Sequence, residues 1–513
     1  MFMSSEKGIW KVIGASSVGT LIEWYDFYIF GSLATIISTK FFPSGNSTTA
    51  FLATLATFAA GFIVRPFGAL FFGRLGDLIG RKYTFLLTLV IMGGATFLIG
   101  CIPSYETFHF APYLVLILRL LQGLALGGEY GGAATYVAEH APAHKRGYYT
   151  SWIQTTATLG LFVSLIVIIT VQKSLSAEAY NDWGWRLPFL LSIVLVLVSI
   201  VIRMKMDESP LFAKLKSEGK TSTNPLKESF GKKQNMKMVL LALFGATMGQ
   251  GVVWYTGQFY AQTFLIKVCG LEPTQTNTWI GIALLLATPF FVFFGWLSDK
   301  IGRKGIILTG MLLAVVCYRP IFTALHDMSD VSTRQEVTSL IETKKSINPA
   351  NANDSLIIKT TRTVYTDSTK LFQTDKYSEI KLKTNDNKAI ETKKVITLDS
   401  RYQWKLIGLI FILVLFVTMV YGPMAAFLVE MFPTKIRYTS MSLPYHIGNG
   451  VFGGLVPFIA ILITTTTGSS YLDGLWYPIG VAALCFIIGL LYLSNKNDED
   501  VGDDINEYTH PKN

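Results

Sequence analysis

The sequence is poor in charge. Only 15% of its 513 residues are Asp, Glu, Lys or Arg, while 51% are hydrophobic, whereas an average soluble domain carries about 25% charged residues. A chain of this length would normally divide into several soluble cores, but here long apolar runs are separated by short charged loops. The composition therefore argues against a soluble enzyme and favours a protein embedded in a lipid bilayer.

The sequence also lacks the marks of a metal site, a redox site or a cleaved leader. Its four cysteines are isolated in or near apolar segments and form no CxxC pair, so no zinc or redox motif is indicated. The first apolar segment begins near Trp10 and carries Glu23 and Asp26 in mid-span, with no convincing cleavage site. It is predicted to be a retained first span, and we expect no cofactor.

Twelve segments are long enough to cross the roughly 30 Å of bilayer hydrocarbon as helices of about 20 residues. They lie near 10–38, 49–73, 83–103, 111–138, 149–172, 185–204, 237–267, 276–297, 305–326, 403–429, 438–465 and 471–494. The sequence thus predicts an all-α membrane protein of about twelve spans.

Lysine and arginine are unevenly distributed among the short loops. The even-numbered loops carry pairs such as Arg81-Lys82 and Lys145-Arg146, and the odd-numbered loops are nearly bare. Because basic residues stay on the cytoplasmic side, we expect both termini in the cytoplasm of a bacterial plasma membrane. The net charge of +10 is explained by these loops, and nucleic-acid binding is not expected.

Four further regions follow from this topology. Residues 1–204 form a first six-helix half, 205–236 a cytoplasmic linker, 237–494 a second half and 495–513 a cytoplasmic tail. Within the second half, 327–402 is a polar insertion rich in Lys, Thr, Asp and Asn. Its short alternating runs indicate strands, so the insertion is either a small outward-facing β-rich cap or a disordered loop.

The chain contains an internal repeat. The segment GRLGDLIGRK from Gly73 recurs as GWLSDKIGRK from Gly295, at an offset of 295 − 73 = 222. The pattern ExxPxxxR from Glu139 recurs from Glu430, at 430 − 139 = 291. The offsets differ by roughly the length of the insertion, so one six-helix unit is duplicated, an arrangement that carriers use for alternating access.

The repeated motifs predict a gate at the cytoplasmic side. Glycine allows a tight turn and close helix approach, and an acid and an arginine four residues apart can pair beside a helix end. We expect these gating residues to be Gly73, Asp77, Gly80, Arg81, Glu139, Arg146, Asp299, Arg303, Glu430 and Arg437.

With these motifs, the chain resembles the major facilitator superfamily over nearly its whole length except 327–402. The stretches EWYDF from Glu23, RPFG from Arg65, GGEYGG from Gly127 and PYHIG from Pro444 resemble the metabolite:proton symporters. That resemblance implies proton-coupled carriage of a carboxylate, such as 2-oxoglutarate, citrate or shikimate, or of a zwitterion such as proline or betaine. The short acidic tail differs from the coiled coil of the osmosensing members.

Charged residues within the spans are candidates for proton coupling, since a buried charge needs a cavity or a partner. Glu23 and Asp26 are three residues apart on span 1, and Arg119 lies at a similar depth on span 4. We expect Asp26 to pair with Arg119 and either Glu23 or Glu129 to carry the proton. A static ion network is the alternative.

A second group of residues could contact the substrate. Arg65 offers a bidentate donor for a carboxylate, and its alternative role is that of an interfacial arginine. Span 7 is rich in amides and rings, and Trp24-Tyr25 aligns with Trp254-Tyr255 in the repeat. Each of these side chains could equally serve helix packing. The substrate-contact candidates are Tyr25, Arg65, Gln250, Trp254, Tyr255, Gln258 and His446. For His446 the alternative is a plain hydrogen-bonding histidine within span 11.

The sequence therefore predicts a monomeric proton symporter that imports a small organic acid or zwitterion. An exporter with the same fold is one alternative, although polar Arg65 and the glutamines of span 7 argue against an apolar drug cavity. A membrane sensor that uses 327–402 as its ligand domain is another.

Overall fold

The computed structural model describes residues 6–42, 47–347, 355–380 and 389–494, so the predicted tail at 495–513 lies outside the described residues. Within these ranges, eleven helical segments are long and apolar enough to cross a membrane. The helix Glu6–Ser32 is a twelfth long helix in the same bundle. Spans 1 to 12 are Glu6–Ser32, Ala56–Leu78, Arg81–Cys101, Ala111–His140, Ala143–Ser174, Gly184–Met204, Lys233–Val268, Pro273–Ile301, Arg303–Ser329, Ser400–Met431, Thr434–Thr467 and Asp473–Tyr492.

Several spans are interrupted where the sequence disfavours a regular helix. Span 2 belongs to two helices, Ser47–Ile63 and Arg65–Leu78, and the second begins with Pro66 in its first turn, where the missing N–H costs nothing. Span 10 breaks before Pro423 into Gln403–Tyr421 and Met424–Met431. Span 11 runs through Arg437–His446, a π-helical turn and Val456–Thr467.

Span 7 contains three π-helical turns, which add one residue to a helical turn. They are Leu243–Thr247, Thr256–Tyr260 and Phe264–Val268. Such turns often occur at functional sites because they rotate the side chains that follow them. Outside the spans, the described residues also form the short α-helices Ala34–Phe41, Ala177–Asp182 and Pro210–Ser217 and a π-helical turn at Lys227–Gly231.

Large apolar side chains cover the outside of the bundle. Examples are Phe67 at 64% exposure and Phe458 at 66%. A surface this apolar is costly in water and suits the hydrocarbon of a bilayer, so it agrees with the apolar composition of the spans.

The two six-helix halves meet closely at one end of the bundle. Here the backbones of spans 5 and 8 approach at Gly147 and Gly295, where a side-chain carbon added to Gly147 would lie 2.4 Å from the Gly295 carbonyl oxygen. Both repeated motifs lie at this end, which we call the motif end. The opposite end carries the insertion and is called the sheet end.

The insertion is an antiparallel four-stranded meander, which confirms the prediction of a β-rich unit. Its strands are β1 (Glu336–Ile347), β2 (Ser355–Tyr365), β3 (Lys370–Ser378) and β4 (Glu391–Thr397), in the order β1-β2-β3-β4. Leu340 pairs with Arg362, and Phe372 pairs with both Arg362 and Val395.

Strand β4 attaches the sheet to the loop between spans 7 and 8. The Ile396 N–H donates to the Gly270 carbonyl at 2.7 Å, and the Glu272 N–H donates to the Ile396 carbonyl at 2.9 Å. The Gln275 side chain exchanges two hydrogen bonds with the Leu398 backbone, at 2.8 and 3.0 Å. The sheet is therefore fixed to the sheet end of the same span that contains the π-helical turns.

Candidate functional site

The first copy of the motif binds the second half of the protein. The Asp77 carboxylate accepts the N–H groups of Tyr438 at 3.3 Å and Thr439 at 2.8 Å. These N–H groups belong to the first turn of the helix Arg437–His446, where they have no partner within their own helix. A carboxylate there satisfies them and interacts favourably with the positive end of the helix dipole.

Buried ion pairs extend this contact. Arg81 lies 3.2 Å from Asp77 and 3.5 Å from Glu139, and Glu139 pairs with Arg437 of the second half at 2.9 Å. Arg81 also donates to the Thr434 carbonyl at 2.6 Å. We call Asp77, Arg81, Glu139 and Arg437 the first clamp; all four are buried.

The second copy of the motif binds the first half of the protein in the same way. Asp299 accepts the N–H groups of Gly147 at 2.8 Å and Tyr148 at 2.7 Å, in the first turn of the helix Arg146–Ser174. Arg303 makes a bidentate contact with Glu430 at 2.7 and 2.8 Å, and Arg146 lies 4.0 Å from Glu430. Asp299, Arg303, Glu430 and Arg146 form the second clamp.

The motif glycines fit these contacts. Gly80 and Gly302 occupy the same place in the two copies and have φ angles of 126° and 95°, which non-glycine residues rarely adopt. A side-chain carbon at Gly73 would lie 2.9 Å from the Thr439 Cα. Each clamp thus caps a helix of the other half, and in this conformation the motif end is closed.

A small cavity lies between the halves, on the sheet-end side of the clamps. Its volume is about 50 Å³, enough for a few water molecules, so a larger molecule needs the halves to separate. It is lined by Thr20, Glu23, Trp24, Arg65, Leu126, Glu129, Tyr130, Trp254, Tyr255, Tyr421, Tyr445, His446 and Asn449. Of the predicted contact residues, Arg65, Trp254, Tyr255 and His446 meet here.

Two carboxylates and one guanidinium form a cluster in the cavity wall. Glu129 accepts from Arg203 at 3.2 Å and from the hydroxyls of Thr20 and Thr88. Glu23 lies against Glu129, and neither of its oxygens has a hydrogen bond of normal geometry. With both acids ionised the cluster carries one net negative charge, and a single proton neutralises it.

Arg203 was missed by the sequence analysis. It lies in the last turn of span 6, is 1% exposed and lies over the Phe85 ring at 3.3 Å, and it also donates to the Phe85 carbonyl. The only signal was a charged residue inside an apolar helix, and at a helix end that signal is indistinguishable from a topology-setting basic residue.

The predicted pair of Asp26 with Arg119 is wrong in this structure. Asp26 accepts from the Ser192 hydroxyl at 2.6 Å. Arg119 donates to Gln122 at 2.6 Å, and Gln122 in turn donates to Thr96 at 2.7 Å. The Asp26 carboxylate lies beside Thr96, so neutral side chains separate the two charges, and neither charge lines the cavity.

Arg65 lies in the cavity wall with aromatic neighbours. Its guanidinium is 4.1 Å from the centre of the Phe62 ring and 5.2 Å from that of Phe27, and the Tyr255 hydroxyl lies against it. Its Nε has no hydrogen-bond partner. A buried arginine with an unused donor is suited to receive a carboxylate.

The remaining predicted contact residues differ in their position relative to the cavity. Gln250 exchanges two hydrogen bonds with the cavity residue Asn449, at 2.8 and 3.2 Å, so it supports the wall from behind. His446 lines the cavity, and its Nε2 has no partner. Gln258 does not line it, and Tyr25 faces away and donates to the Pro188 carbonyl at 2.9 Å. The prediction that these two contact the substrate is therefore not supported by this conformation.

Tyrosines close the cavity towards the motif end. Tyr130 and Tyr445 stack with ring centres 3.6 Å apart, and Tyr421 contacts the Tyr445 hydroxyl at 2.7 Å. Tyr130 and Tyr421 are equivalent positions of the repeat, and their rings also stack, at 6.1 Å. The stack joins the two halves between the cavity and the clamps.

Comparisons with known proteins agree with this architecture. Residues 11–339 match the family described as "Sugar (and other) transporter". The chain is 30% identical to the alpha-ketoglutarate permease of Escherichia coli, over 95% of this chain and 94% of that one, and 29% identical to the citrate-proton symporter of Klebsiella pneumoniae, over 93% and 90%.

Among solved structures, the proton:xylose symporter XylE bound to 6-bromo-6-deoxy-D-glucose is similar, with a TM-score of 0.63 and 17% identity over 94% of each chain. This likeness concerns the fold, which is that of the major facilitator superfamily. The duplicated bundle and the family match together show that this chain is a multi-pass membrane transporter, not an enzyme, and that it belongs to the sugar (and other) transporter family of the major facilitator superfamily.

Proposed function

We propose that this transporter is a proton-coupled symporter that imports a small organic acid or zwitterion by alternating access. The motif end, the linker 205–236 and both termini would face the cytoplasm of a bacterial cell, as the basic loops indicate. The coupling ion is H⁺, and the carrier works as a monomer in the bilayer without a cofactor.

One observation carries this proposal. Glu23 and Arg65 line the same cavity, and each has polar atoms without a hydrogen-bond partner. A buried polar group without a partner costs free energy, and one that lines a cavity can recover that cost by binding a ligand. Here one is an acid that can bind a proton and the other a cation that can bind a carboxylate.

The cluster of Glu23, Glu129 and Arg203 gives the coupling a physical basis. A proton on Glu23 removes the net negative charge of the cluster. Burying a neutral cluster in the closed conformation costs less desolvation free energy than burying a charged one. Arg65 then holds the carboxylate while the halves rock around the cavity. The names of the citrate and xylose relatives, both proton symporters, support H⁺ as the coupling ion.

Substitution of Glu23 by glutamine tests the proposal. Purified protein is reconstituted in vesicles with an alkaline interior, and uptake of labelled carboxylates and zwitterions is followed. With one proton per substrate, a gradient of 2 pH units drives accumulation of about 100-fold, because each tenfold ratio corresponds to about 1.4 kcal/mol. Glu23→Gln should reduce this ratio to unity and leave exchange of substrate across the membrane intact.

Glu178→Gln is the matched control, because Glu178 is exposed in the short helix Ala177–Asp182; it should accumulate substrate as the parent does. Uphill uptake that survives in Glu23→Gln would refute the coupling role. Substrate expulsion into an acidic exterior would instead identify an exporter, and a chain that binds ligand without any flux would identify a sensor.

A further inference from the structure

The distribution of charge in the cavity discriminates among substrates. Resting on the proposed transport function, we propose that the substrate is a small zwitterion, whose carboxylate binds Arg65 and whose ammonium centre lies against the rings of Trp24 and Trp254.

The cavity offers one fixed positive charge. Among its described lining residues, Arg65 is the only lysine or arginine. The nearby Arg203 is neutralised by Glu129, and Arg119 packs over the rings of Phe30 and Phe58 and does not line the cavity. Arg65 therefore matches one carboxylate, and a second carboxylate would have no cation to receive it.

The other wall attracts cations. Trp24 of span 1 and Trp254 of span 7 lie with ring centres 5.8 Å apart and planes inclined by 43°. One ring comes from each half, in the WY pairs that the sequence aligns between the halves. The faces of indole rings carry negative charge density and bind ammonium groups, including quaternary ones.

The acids reinforce this preference. Glu23 directly precedes Trp24, and Glu129 lines the same cavity. A carboxylate placed against these rings would face both the π electrons and the one net negative charge of the Glu23, Glu129 and Arg203 cluster, which repel it, whereas an ammonium is attracted by both. Because the rings hold the ammonium, Glu23 does not need to pair with it and stays free to bind the transported proton.

Competing substrates provide the test. Vesicles containing the full chain, with an alkaline interior, are offered one labelled compound at a time. The compounds are the zwitterions glycine betaine and proline, the dicarboxylate 2-oxoglutarate, the tricarboxylate citrate, and shikimate, a monocarboxylate without an ammonium group. We expect accumulation of a zwitterion at a rate at least about tenfold above that of every other compound. Trp24→Leu should raise the zwitterion concentration needed for half-maximal uptake by about tenfold, and Trp24→Phe should restore most of the affinity.

Trp183→Leu is the control, because Trp183 is half exposed at the sheet end, away from the cavity; its uptake should match the parent's. Faster proton-driven uptake of 2-oxoglutarate or citrate would overturn the zwitterion inference and leave the symport proposal intact. Preference for shikimate would retain the Arg65 contact and overturn the ammonium site. Uptake of none of the panel, with or without a gradient, would refute both proposals.

Discussion

Substitution of Asp77 by asparagine should open the motif end. Asp77 joins the halves only while that end is closed, through the N–H groups of Tyr438 and Thr439. Asparagine keeps the shape of the side chain but replaces one acceptor oxygen by a donor and removes the charge. The change therefore weakens the closed conformation with little effect on packing.

The size of the effect follows from these two contacts. Hydrogen bonds to a charged group contribute about 1.5–3 kcal/mol, and asparagine can still accept one of the two. A loss of about 1.5–3 kcal/mol in the closed state shifts the closed-to-open ratio by about 10- to 150-fold, since 1.4 kcal/mol is a factor of ten.

Alkylation of a cysteine placed at the interface reports the open population. Thr135 is fully buried, and its hydroxyl contacts the Met441 sulfur of the other half at 3.3 Å. In a Thr135→Cys chain whose exposed Cys101 is replaced by serine, Asp77→Asn should speed alkylation of the purified protein by about 10- to 150-fold. The exposed Asp182 provides the control, Asp182→Asn. An alkylation rate within twofold of the parent would refute the clamp.

Two further predictions concern a close glycine contact at the motif end and an aspartate at the base of the sheet. Gly295→Ala should also open the motif end and slow transport, because the added carbon would lie 2.4 Å from Ser151 and 2.6 Å from the Gly147 carbonyl; Gly281→Ala, with 3.8 Å to its nearest neighbour, should not. At the base of the sheet, burial raises the pKa of Asp367, but hydrogen bonds from Thr369 and Tyr402 and the charge of Arg334 outweigh it and hold this pKa below its usual value. The carboxylate therefore stabilises the base above about pH 4, and this stability is lost as the pH falls through the lowered pKa. The protection of the Thr369 amide against hydrogen exchange, relative to an unfolded peptide at the same pH, should show this loss. In Asp367→Asn this protection should be lower at neutral pH and should no longer change over the same pH range. Glu342→Gln, on the exposed edge strand, serves as the control.

The sequence predicted the architecture well because its signals are strong. The bilayer demands long apolar helices, the repeat reveals the duplication, and the alternating runs in 327–402 indicate strands. The sequence also indicated that the motif residues lie together at one end of the bundle, but not the direction of their contacts: that Asp77 and Asp299 each cap a helix of the other half depends on tertiary packing that one copy of the motif does not encode.

Helix rotation explains what the sequence could not predict. Counting residues gave the depth of Asp26 and Arg119, but depth does not fix the direction of a side chain around its axis. At 100° per residue, the side chains of Thr20, Glu23 and Trp24 share the face that lines the cavity, whereas Asp26 is turned towards span 6. Tyr25 is two residues from Glu23 and so lies on nearly the opposite face.

Proton movement driven by substrate is the most direct measurement of the central claim. Vesicles containing the transporter, without an initial gradient and with the membrane potential clamped, are given the substrate identified by the uptake panel while a dye reports external pH. The account predicts external alkalinisation of about one proton per substrate molecule in the parent and none in Glu23→Gln. Substrate entry into the parent vesicles with no change in pH would contradict it.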